Sequence, residues 1–203
     1  MDVLQSLQLD DAPLTVLHLG CGRKGRDLPL RPEYADRPIS VLSVDQDARL
    51  HPDIVAVLGV DPLPLPDESV DYAVAIHVLE HIGMQGETTE WFAFFEDLYR
   101  VLKPGGVLQF ECPLWSSVWC WGDPTHTRAI SEQAFVFFNQ DAYRRAGSAI
   151  SPYRIQCDFV LSDTERVPDP HPDLARQERW SHLRGLLTAR KPFRPWWADG
   201  GAL

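Results

Sequence analysis

Thr15-Val16-Leu17-His18-Leu19 is an apolar run that stops at Gly20-Cys21-Gly22, and Ile39-Ser40-Val41-Leu42-Ser43-Val44 is a second that stops at Asp45. Such runs read as buried strands, because a strand covered on both faces loses its polar alternation. Gly20-x-Gly22-x-x-Gly25 lets the backbone turn tightly and approach a ligand, while the Asp45 carboxylate can accept from two ribose hydroxyls. This pairing of glycine loop and acid suits folds that bind a nucleoside-bearing ligand at the ends of parallel strands; the alternative is a pair of turn glycines and a solvated aspartate.

The rest of the chain follows that plan. Ile54 to Leu58, Val70 to Ile76 and Val107 to Cys112 read as further strands. Between the last two, Trp91, Phe94, Phe95, Leu98, Val101 and Leu102 fall on one face of a helix predicted over Glu87 to Leu102, ended by a turn at Pro104-Gly105-Gly106. Alternating strands and helices predict an α/β fold with a mostly parallel sheet. Beyond Pro113, residues 114–130 read as an ordered loop holding Trp115, Trp119 and Trp121. Ser131 to Arg145 reads as a helix capped by Ser131. Tyr153 to Leu161 and Leu183 to Ala189 read as strands, with a proline-led loop and a short helix around Leu174 to His182 between them.

Composition bounds the function. At 203 residues with 44% hydrophobic content, one domain over 1–203 is expected. The net charge of −10 disfavours bulk nucleic acid; it divides into −11 over residues 1–150 and +1 over 151–203. No run is long enough to cross a membrane and the first residues lack a signal-peptide pattern, so a cytoplasmic protein is expected. Cys21, Cys112, Cys120 and Cys157 form no C-x-x-C pair and are expected as reduced thiols.

Two ligands suit the glycine loop: NAD and S-adenosylmethionine. NAD needs a helix N-terminus against its pyrophosphate, but Pro29, Pro32 and Pro38 crowd the first crossover and favour the phosphate-free ligand. Arg23, Lys24 and Arg26 either meet a ligand carboxylate or face solvent.

Four segments then carry a family resemblance over residues 14–192. Val16-Leu17-His18-Leu19-Gly20-Cys21-Gly22 resembles motif I of class I S-adenosylmethionine-dependent methyltransferases. Leu63-Pro64-Leu65-Pro66-Asp67-Glu68-Ser69-Val70-Asp71 with Val78-Leu79-Glu80-His81 is similar to the core of the methyltransferase type 11 group. Leu98 to Gly106 and Leu186 to Pro192 resemble its later helix-turn and closing strand. The resemblance implies a Rossmann-like seven-stranded, mostly parallel sheet with an antiparallel last strand. It implies Gly20, Cys21 and Gly22 along the methionine, Asp45 on the ribose, Gln46 beside the adenine and His77 near the sulfonium. His18 stands where the family has an acid, and Asp61 is a shifted candidate for the adenine amino group.

Methyl transfer needs positioning and, for O–H or N–H acceptors, a proton acceptor. His77 at a strand's carboxyl end is one candidate; His126 and Asp123, in Asp123-Pro124-Thr125-His126-Thr127-Arg128, are others. Arg128 would clamp an anionic acceptor, and the three tryptophans would stack on substrate or line a lid. Residues 114–150 and 162–182 would be the acceptor-side inserts. His77-Val78-Leu79-Glu80-His81 matches the H-x-x-E-H zinc pattern, but that pattern needs a helix, so no metal is expected. The expected activity is methyl transfer from S-adenosylmethionine to an oxygen or nitrogen of a small molecule. The alternatives are an NAD-dependent oxidoreductase and a non-catalytic binding module.

Overall fold

A computed structural model describes residues 13–25, 28, 30, 31, 34, 37–146, 153–171, 173 and 180–199. Arg26, Pro29, Pro32 and the core of the helix expected around Leu174 to His182 lie outside these residues.

Seven strands form one sheet in the order β3-β2-β1-β4-β5-β7-β6. They are β1 Leu14–Leu19, β2 Ile39–Asp45, β3 Ile54–Val55, β4 Val70–Ile76, β5 Leu102–Pro113, β6 Phe159–Pro168 and β7 Trp180–Ala189. Strands β1 to β5 pair in parallel, and β7 runs antiparallel to both β5 and β6. This is the seven-stranded mixed sheet expected from the resemblance. Among the described residues, helices α1 Thr89–Val101, α2 Val118–Gly122 and α3 Gln140–Ala146 accompany it.

Side-chain alternation divides the central strands between two cores. Leu17, Leu19, Ala73 and Ala75 point into the larger one, where Trp91, Phe94, Phe95 and Leu98 of α1 cover the sheet. Val16, Tyr72 and Val74 point to the other face, against Leu28, Leu30 and Tyr34. Arg100 of α1 ties the Leu-Pro-Leu-Pro segment down: it donates to the carbonyls of Leu63 and Leu65 and pairs with Asp97 and Asp67. The segment thereby becomes a fixed lead-in to β4.

The structure departs from the sequence reading in several elements. β3 ends at Val55 because residues 57–61 fold into a turn, with Asp61 accepting from the Val57 amide at 2.9 Å. Pro104-Gly105-Gly106 does not separate α1 from β5. The pairing jumps from Val70↔Leu102 to Tyr72↔Val107, so these residues form a bulge inside β5, with Gly105 in the left-handed region. Residues 114–130 contain α2, capped by Ser117, whose hydroxyl accepts from the Trp119 amide. Ser131 to Arg145 divides into a 3-10 helix, Glu132–Phe138, and α3. β6 starts at Phe159 rather than Tyr153, and His182 belongs to β7 rather than to a helix.

Candidate active site

The strand order reverses between β1 and β4, and the crevice beyond their carboxyl ends is where an open α/β sheet binds ligands. A cleft of about 490 Å³ opens there, lined by Gly20, Asp45, Gln46, His77, His81 and Thr125, with Ala56, Val57, Leu58, Val78 and Ile82 as its apolar walls.

Gly20 follows β1 with φ +57°, and a Cβ there would meet Val78 Cγ2 at 2.5 Å. Backbone angle and close approach both require glycine. The chain then makes a single 3-10 turn, Gly22–Lys24. Asp45, at the end of β2, accepts from the Gly22 amide at 2.8 Å through Oδ2 and from the Asp47 amide at 2.9 Å through Oδ1. Each oxygen keeps a second lone pair, so one carboxylate fixes the glycine loop and faces the cleft. His18 is buried beneath the loop, with Nδ1 2.6 Å from the Gly25 carbonyl. It holds the turn from inside rather than offering a charge to ligand.

At the other end of the cleft, His77 leaves β4 with φ +56°, which swings the chain into a 3-10 turn at Leu79–His81. The H-x-x-E-H residues therefore lie on no common helix. Glu80 is fully buried, and neither carboxylate oxygen has a hydrogen-bond partner. Around it stand His77, with Nδ1 at 3.4 Å, and His126, with Nε2 at 3.9 Å. The neighbouring Glu80 carboxylate raises the His77 pKa despite partial burial. The His81 and His126 rings meet edge-on at 4.9 Å. His126 is brought here because residues 127–128 dock on the turn, the Thr127 and Arg128 amides donating to the Glu80 carbonyl at 2.9 and 3.1 Å.

The methyltransferase domain family matches residues 17–110 of this chain. A Mycolicibacterium smegmatis protein that bears the name of an S-adenosylmethionine-dependent methyltransferase is 34% identical over 120 residues, covering 55% of this chain and 42% of that protein. Over residues 17–110 the chain is similar to methyltransferase domains, and part of it is similar to that S-adenosylmethionine-dependent relative. It spans about two fifths of the length of that curated relative. A chain from the Haloferax volcanii complex containing the Trm112 methyltransferase activator is similar in fold, with a TM-score of 0.58 at 18% identity over 95% of this chain and 88% of that one. An S-adenosylmethionine-dependent methyltransferase from Archaeoglobus fulgidus gives 0.56 at 16% identity, over 88% and 87% of the two chains.

Of the residues expected to hold cofactor, Gly20, Asp45, Gln46 and His77 line one cleft. Cys21 is buried below it, its thiol pKa raised by burial and then by Asp45, and Gly22 reaches the site through its amide. Asp61 lines a separate depression with Asp97 and Arg100, so its effect on the cleft runs through the Val57 backbone.

The residues expected on the acceptor side sit differently from that expectation. Arg128 is not presented as an anion clamp. Its guanidinium donates to the carbonyls of Ile82, Met84 and Glu87 and lies 4.5 Å from the Trp91 ring, and burial lowers its pKa. Asp123 accepts from the Thr125 amide and hydroxyl and stands 3.8 Å from His126 Nε2. Trp115, Trp119 and Trp121 are at least half exposed and lie outside the cleft lining. Trp121 donates to the Trp115 carbonyl and Trp119 to Asp169. Residue types alone gave no weight to Ala56, Val57, Leu58 and Thr125 as cleft walls. Glu80 and His81 carried a signal in their H-x-x-E-H spacing and in the family resemblance of Val78 to His81, neither of which assigned them a role in the site.

Proposed function

We propose that this chain transfers a methyl group from S-adenosylmethionine to an oxygen or nitrogen of a small-molecule acceptor. The observation that carries the reading is Asp45, whose carboxylate is held by two amides at the rim of a cleft that begins at Gly20. In this reading Asp45 accepts from the ribose hydroxyls, Gln46 and the Ala56 to Leu58 wall flank the adenine, and the Gly20 to Gly22 backbone runs along the methionine. The cofactor supplies a methyl group on a sulfonium, open to in-line attack by an acceptor lone pair. His77 stands at that end of the cleft as the nearest candidate to accept a proton, with His126 and Asp123 behind it. Positioning such groups in a water-poor cleft contributes several kcal/mol to the rate.

One methyltransferase-like domain would supply both sites, residues 114–150 and 162–182 shaping the acceptor side. Four free, buried cysteines support action in a reducing, cytoplasmic setting. Among the described residues no helix is long and apolar enough to cross a membrane.

Calorimetry with S-adenosylhomocysteine and with NAD tests the reading. Saturable binding of S-adenosylhomocysteine alone is expected. Binding of NAD alone would make the chain an oxidoreductase candidate, and binding of neither would point to a module that has lost its cofactor.

A further inference from the structure

We propose that Glu80, His81 and His126 form a binding site for a divalent transition-metal ion, of which Zn²⁺ is the type, at the acceptor end of the cleft. The ligand atoms of the three side chains all lie within 4.8 Å of one another. Two further observations point to a cation rather than to a chance meeting of polar groups.

The first is the state of Glu80. Its side chain is wholly buried and both carboxylate oxygens lack a hydrogen-bond partner. An ionised carboxylate removed from water without compensation costs several kcal/mol, and the usual remedies are a paired cation or a metal. Backbone amides from 127 and 128 go to the Glu80 carbonyl, and what approaches the carboxylate is histidine nitrogen, His77 Nδ1 at 3.4 Å and His126 Nε2 at 3.9 Å.

The second is the set of partners on the histidines. His81 Nδ1 lies 3.1 Å from the Thr125 carbonyl, and His126 Nδ1 lies 3.3 Å from the Cys120 carbonyl. A carbonyl oxygen only accepts, so each bond places a proton on Nδ1. In the neutral ring Nε2 is then bare, the arrangement by which backbone carbonyls orient metal-binding histidines. His126 Nε2 then faces the Glu80 carboxylate at 3.9 Å as a lone-pair donor, with a ring nitrogen of His81 within 4.8 Å of both.

Two imidazoles and one carboxylate suit Zn²⁺ and its neighbours over Mg²⁺ or Ca²⁺, which take oxygen ligands. Ligand bonds of about 2.0–2.2 Å set tetrahedral ligand separations near roughly 3.4 Å. His126 Nε2 and Glu80 Oε1 are already 3.9 Å apart, so side-chain torsions can close the set. Three protein ligands leave a fourth position. His81 and Thr125 line the cleft, so that position faces the acceptor end. There the ion would hold and orient the oxygen or nitrogen of an acceptor. Only this role rests on the methyl-transfer reading; the binding of the ion does not. The other histidine cluster, His77, Glu111 and His182, is the weaker candidate, because Glu111 is taken by Arg184 at 2.7 Å.

The test is calorimetric titration of the purified, chelator-treated chain with Zn²⁺, repeated with Co²⁺ as a visible-absorbing probe. S-adenosylhomocysteine is titrated in the same samples. One Zn²⁺ per chain is expected, with His81→Ala and His126→Ala each weakening it at least tenfold and His182→Ala leaving it unchanged. Both histidine variants should retain wild-type melting within a few degrees. Glu80→Gln should abolish the ion; if that variant fails to fold, the two histidine variants decide. Absence of saturable Zn²⁺ binding, or affinity that follows His182 instead of His81 and His126, overturns the proposal. Cofactor binding without Zn²⁺ would sink the metal site alone, and Zn²⁺ without cofactor would sink the methyltransferase reading alone.

Discussion

Asp45 joins two tasks that are separable in principle, since its carboxylate both ties the glycine loop to β2 and faces the cleft. Asp45→Asn keeps the shape but replaces one acceptor oxygen by an NH₂ group, which then meets an amide donor. A hydrogen bond to a charged group contributes about 1.5–3 kcal/mol, so affinity for S-adenosylhomocysteine should fall roughly 10- to 100-fold by calorimetry. A dissociation constant within twofold of wild type would remove Asp45 from the cofactor site. Asp45 was legible in the sequence because strand register alone carries it to the rim: β1 and β2 pair in parallel up to Leu19↔Val44, one residue short of Gly20 and Asp45. Arg128 was not legible. Its three carbonyl partners belong to a segment more than 40 positions earlier in the chain, and nothing local distinguishes a guanidinium aimed at backbone from one aimed at substrate.

At the scale of elements, Arg128 is the bolt between residues 82–87 and 123–130. The Gln85 amide donates to the Thr127 carbonyl and the Ala129 amide donates to Gln85, but only the guanidinium reaches three carbonyls at once. Arg128→Lys replaces that planar fork with one compact ammonium. The expected cost is about 1.5–3 kcal/mol of stability, read by denaturant unfolding, together with faster proteolysis within residues 82–87. Activity toward neutral and anionic acceptors should fall in parallel. Loss confined to anionic acceptors would return Arg128 to the role of an anion clamp. The same scale shows where sequence patterns reach and where they stop. Val70–Ile76 was legible to the residue because an apolar strand flanked by turn residues has sharp ends. The start of β5 was not, since the bulge at 103–106 exists only through pairing with β4, and proline and glycine in isolation signal a turn. Likewise β6 and β7 lengthen toward Pro168 and Trp180 because they pair with each other, whatever their polar content.

For the whole molecule, the two halves of the sheet differ in how they are joined. The parallel half is closed by apolar packing on α1, whereas α3 is fastened to the antiparallel half through charge. Arg190, just past β7, pairs with Asp158 before β6 and with Asp141 in α3, and Asp141 also pairs with Arg144. The hydrogen bond from Arg190 is the main reason that the Asp141 carboxyl lies below its ordinary pKa of 3.8. A depressed carboxyl pKa adds stability above the unfolded value, and that stability is lost as pH falls through the folded value. The Asp141 side chain is 41% exposed, so solvent screening holds the contribution to about 1 kcal/mol or less. Asp141→Asn should therefore melt about 2–4 °C below wild type at pH 7, and the two melting curves should converge below pH ~3. The net charge of −10 adds an opposing slope on the way down from neutrality, since approaching the pI near 5.1 relieves self-repulsion. That slope is common to both proteins and cancels in their difference. A difference in melting temperature that stays constant from pH 7 to pH 3 would show that α3 is held by packing around Tyr143 and Trp196 rather than by the Asp141 charge.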